Sequence, residues 1–64
     1  MTKREMEKRI AEYLDERWMV ILALGSLECS VNARLFYDSV CATIAQIGSW
    51  ERREDGKHFV NLNL

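Results

Sequence analysis

Apolar positions recur at helical spacing from the start of the chain. Met6, Ile10, Tyr13, Leu14, Trp18, Ile21 and Leu22 fall on one side of a 3.6-residue period. Lys3, Glu7, Lys8, Glu12, Asp15 and Glu16 fall on the other. The pattern predicts a helix over residues 3–24. Thr2 followed by Glu5 fits a capping box, in which each side chain satisfies the other's orphan backbone donor. Glu5 and Arg9 are spaced as an i,i+4 pair in the favourable orientation. Gly25 is the expected stop, because glycine accepts the left-handed conformation that closes a helix.

A second helical pattern follows a short connector at residues 26–30. Ser30 or Asn32 is the expected cap, and the helix is expected over residues 31–47 with Gly48 as its stop. Leu35, Phe36, Val40, Ile44 and Ile47 make its apolar stripe; Arg34, Asp38, Ser39, Thr43 and Gln46 make a narrow polar face. Ala33, Ala42 and Ala45 are small enough for another helix to approach closely. The short connector predicts that the two helices pack antiparallel.

From residue 49 onward the period changes to two. Asp55-Gly56 is a turn signal between two strand-like runs, so residues 49–63 read as a hairpin. Loop length decides which side chains share a face. A two-residue loop pairs Arg53 with His58 and sets Trp50 with Phe59. A three-residue loop over Glu54–Gly56 pairs Arg53 with Lys57 and gathers Trp50, Val60 and Leu62 on one face. The second is preferred because it turns three apolar residues to the helices, at the cost of a like-charge pair at the tip.

The expected fold is therefore α+β, in the order α-α-β-β: two antiparallel helices and a C-terminal β-hairpin in one domain, residues 1–64. The first helix is amphipathic in its first half but apolar on every side from Trp18 to Leu24. A segment of that kind has to be covered all round. One helix and one hairpin offer little to do it with, so the core is expected to be completed by a homodimer or another protein. Tyr13, Trp18, Met19, Ile21 and Leu22 are the expected interface.

Composition narrows the chemistry. At 64 residues a lone core is marginal, which strengthens the case for association. The chain is 48% hydrophobic and 30% charged, a globular balance, with a formal net charge of -1. It has two cysteines, Cys29 and Cys41, too few for a secreted disulfide scaffold. A charged N-terminus without an apolar run behind it, and no segment of about 20 apolar residues, predict a cytoplasmic chain with no membrane contact.

No metal site is expected, because Cys29, Cys41 and His58 lack zinc-ligand spacing. Neither an enzyme nor a cofactor is expected. His58 is the sole histidine and is placed in an exposed strand, and the glycines match no phosphate loop. The leading expectation is a small protein-interaction or regulatory module acting through its helix faces. The alternative is a winged-helix-like nucleic-acid-binding domain that lays Arg52, Arg53 and Lys57 of the hairpin tip along a phosphate backbone. Against it stand Glu51, Glu54 and Asp55 at the same tip, and a second helix with only Arg34 as a cation.

Overall fold

The computed structural model describes residues 1–24 and 28–63; of residues 28–30 it describes the backbone alone. Helix α1 spans Lys3–Leu24 and α2 spans Glu28–Ile47; strands β1, Gly48–Arg52, and β2, His58–Leu62, form one antiparallel sheet. The α-α-β-β order is the one expected. Thr2 caps α1: its Oγ1 accepts the Glu5 N–H at 3.2 Å, and its carbonyl accepts the Met6 N–H at 3.1 Å. The expected stop at Gly25 lies outside the described residues.

Helix α2 begins earlier than expected. It is already formed at Glu28, so Ser30 and Asn32 lie inside the helix and not at its N-cap position. Serine and asparagine are good caps, but they also tolerate helix interiors when the backbone around them is already committed. No glycine or proline interrupts Glu28–Asn32, and Glu28 suits the positive end of the helix dipole.

The hairpin adopts the three-residue-loop register. Trp50 pairs with Val60, and Arg52 with His58. The Gly56 N–H donates to the Arg53 carbonyl at 2.9 Å, and the Arg53 N–H to the Lys57 carbonyl at 2.8 Å. Gly56 has φ 87°, so this is a turn closed by one left-handed residue, the geometry that favours glycine. Asp55 braces it by accepting the Lys57 N–H on Oδ1. The Arg53–Lys57 repulsion is relieved sideways: Arg53 lies over the Phe59 ring, 3.7 Å from its centroid, and reaches toward Glu51.

The inner face of the hairpin turns to the helices, with β2 against α1 and β1 against α2. Leu14, Ile21, Tyr37, Cys41 and Ile44 form the buried centre, and Ile10, Trp18, Ala33, Val40, Trp50 and Val60 pack around it. No described helix is long and apolar enough to cross a membrane.

Candidate interaction surface

His58 is the largest departure from expectation. Instead of an exposed strand position it lies on the inner face, in register with Val60 and Leu62, and is buried. Both ring nitrogens are engaged. Asp15 Oδ1 lies 2.9 Å from Nδ1, and the same oxygen accepts the His58 backbone N–H at 2.7 Å. A carboxylate only accepts, so Nδ1 carries the hydrogen. Nε2 is hydrogen-bonded to the Tyr37 hydroxyl at 2.6 Å, and Arg52 Nη1 donates to that hydroxyl at 3.4 Å. Trp50 stacks on the imidazole with ring centroids 6.2 Å apart.

This chain of bonds ties α1, α2 and both strands together. Burial pushes the Tyr37 hydroxyl and the neighbouring Cys41 thiol to higher pKa, which holds both in their neutral forms. A cleft between α1 and β2 reaches the Asp15 side of the network. The imidazole itself has no solvent-exposed surface, and both its nitrogens are engaged within the fold. The network therefore works as a clamp. Among the described residues no three potential metal ligands gather. Every buried side-chain nitrogen or oxygen described has a partner.

The basic hairpin tip is less free than its composition suggests. The Arg52 guanidinium lies 3.9 Å from the Trp18 ring centroid and also bonds Tyr37, so it packs back onto the molecule. Arg53 is held by Phe59 and Glu51. Of the three cations expected at a phosphate backbone, Lys57 alone has no such partner among the described residues. Arg52→Ala is expected to destabilise the fold by about 1 kcal/mol through the lost Trp18 contact, read from thermal melts at matched pH. An unchanged melting temperature would show that the contact contributes nothing.

The residues expected at an interface separate into two groups. Ile21 is core and Trp18 is half-buried beneath Arg52 and the turn, where a Cβ on Gly56 would meet its Cδ1 at 3.3 Å. Met19 and Leu22 remain exposed at 61% and 58%. Tyr13 stands at the edge of a groove between the helices. Ile10 and Tyr13 of α1 and Val40, Ile44 and Ile47 of α2 line it, with Arg9 and Thr43 at its rim; its volume is about 370 Å³. No strand residue takes part, so the groove lies on the side of the helix pair turned away from the hairpin. Phe36 extends the apolar surface, edge-on to Tyr13 at 6.5 Å, and Arg17 reaches over both rings.

The groove was not singled out from the sequence, although Ile10, Val40, Ile44 and Ile47 were. Its signal was present: two apolar stripes wider than one sheet of two strands can cover. No family model matches the chain, no curated protein matches it in sequence, and no solved structure matches its fold.

Proposed function

We propose that the chain is a protein-interaction module that accepts an amphipathic helix of a partner protein in the groove between α1 and α2. The apolar groove on the open side of the helix pair carries this reading. Helix-in-groove recognition uses apolar anchors at i, i+3, i+4 and i+7, and a trough bounded by two helices suits such a stripe. Arg9 at the rim and Arg17 above Tyr13 and Phe36 make one wall cationic, while Thr43 on the other wall is neutral. The partner helix is therefore one whose apolar stripe is flanked by acidic residues.

A display library of amphipathic helical peptides tests this, with flanking positions varied among acidic, neutral and basic. Acid-flanked peptides are expected to be enriched, to bind more weakly as salt rises, and to lose at least tenfold in affinity to the exposed-site variant Ile47→Asp. Enrichment of no peptide, or binding that survives Ile47→Asp in a folded chain, would overturn the reading. Nucleic-acid binding through the tip makes a different prediction, since it would fall with Lys57→Ala and ignore Ile47→Asp.

A further inference from the structure

Resting on the groove reading, we propose that Arg17 selects the occupant, by taking one carboxylate that the partner helix carries a single turn beyond its apolar anchors.

Of the two guanidiniums at the groove, Arg17 is the one that its own helix leaves uncompensated. One turn away on α1 stand Tyr13 and Leu14 in one direction and Val20 and Ile21 in the other, and none is acidic. Arg9 has Glu5 and Glu12 at the same spacings. Glu16, next to Arg17 in the chain, is set about 100° round the helix from it. Across the groove Arg17 meets Phe36, and the α2 residues one turn from Phe36 are Asn32, Ala33, Ser39 and Val40. None of these is acidic either. Asp38, two residues on, falls on the opposite side of α2 from Phe36.

Arg17 is also held in position. Its guanidinium carbon lies 5.2 Å from the Tyr13 ring centroid and 5.5 Å from that of Phe36. A cation held over a ring keeps its N–H donors for an acceptor. Arg52 packs on a ring too, but donates to the Tyr37 hydroxyl. Among the described residues nothing accepts from Arg17, which is exposed. The two rings restrict the side chain before any ligand arrives, so less freedom is lost on binding. A planar fork of donors presented in this way suits a carboxylate, which accepts two parallel bonds from it.

The length of the groove fixes where that carboxylate has to be. Val40 and Ile47, which line it on α2, are seven residues apart, about 10.5 Å along the helix. Anchors at i, i+4 and i+7 on a partner helix span the same length. Phe36, with Arg17 against it, is four residues beyond Val40, about 6 Å. The carboxylate therefore belongs one turn outside the outermost anchor. It stands at i+11 if the partner chain runs one way along the groove and at i−4 if it runs the other.

Titration calorimetry with synthetic helical peptides tests this, with circular dichroism to confirm that each variant is folded. The peptides carry leucine at i, i+4 and i+7, and glutamate, glutamine or lysine at i+11 or i−4. Glutamate at one of the two places is expected to tighten binding at least threefold over glutamine, and the place that responds gives the direction of the bound helix. Arg17→Gln is expected to abolish this preference, and Arg17→Glu to reverse it in favour of lysine at the same place. A side chain that merely shaped the groove would weaken all the peptides together and leave their ratio as it was. A ratio that persists in both Arg17 variants therefore overturns the proposal. Peptides that bind, are lost on Ile47→Asp and show no preference for glutamate overturn it too, while the apolar groove stands as the docking site. No binding by any peptide overturns the groove reading itself, and the role of Arg17 with it.

Discussion

Replacing His58 by alanine is expected to destabilise the chain by about 3 kcal/mol, read from urea or thermal unfolding. The imidazole has no exposed surface, and both its nitrogens are bonded within the fold. Removing it leaves the Tyr37 hydroxyl without its acceptor and opens a hole beside Trp50. A buried polar group stranded in this way costs about 1–3 kcal/mol, and the lost packing adds to it. In a domain of this size each kcal/mol moves the melting temperature by about 4–8 °C. His58→Asn, whose amide can still donate to Asp15 but does not reach Tyr37, is expected to lose less. Asp15→Ala combined with His58→Ala is expected to cost less than the sum of the two, because both changes remove one shared contact. A His58→Ala chain within 0.5 kcal/mol of the natural one would mean that water replaces the clamp at no cost.

The clamp also marks the limit of what was legible in the residues alone. Local features came through: the capped start of α1, its length, the hairpin and its register. Each depends on spacings of a few residues, such as Thr2 to Glu5 or Asp55-Gly56 between two alternating runs. The inner position of His58 was implicit in the register, since it stands two residues before Val60 and therefore on the same face. What hid it was the habit of reading a charged tip as solvated. That Asp15 would be its partner was not legible, because no periodicity links residues 43 positions apart.

The apolar stretch from Trp18 to Leu24 was visible, but not its division. Ile21 turns inward while Met19 and Leu22 face out, a choice made by where the hairpin lands and not by hydrophobicity. The same holds for the groove, which is defined by what the hairpin fails to cover.

Alanine at position 48 is expected to cost about 3 kcal/mol or more, although it adds one methyl group. Gly48 ends α2 as expected, but not through a left-handed conformation: among the described residues positive φ occurs only at Gly56. Its role is close approach. A Cβ on Gly48 would lie 2.0 Å from the Asn61 carbonyl oxygen, 2.8 Å from Leu62 Cα and 3.0 Å from the Asn61 carbonyl carbon. All three are backbone atoms, so no side-chain rotation relieves the clash. The helix end and β2 must separate instead. Gly48 pairs with Leu62 at the end of the ladder away from the turn, and beside it the Asn63 N–H donates to the Ile47 carbonyl at 2.8 Å. Opening this corner pulls Leu62 from the core and its N–H from Glu7. Overpacking ordinarily costs about 1–3 kcal/mol, and the upper end applies where backbone has to move. At about 0.05–0.15 kcal/mol per residue, the whole chain has roughly 3–10 kcal/mol to lose. Ser49→Ala, one residue on and exposed, is the control and is expected to be nearly silent. Chemical denaturation of both variants gives the comparison. If Gly48→Ala unfolds at the same urea concentration as Ser49→Ala, the close packing of α2's end against β2 is not what holds the hairpin base in place.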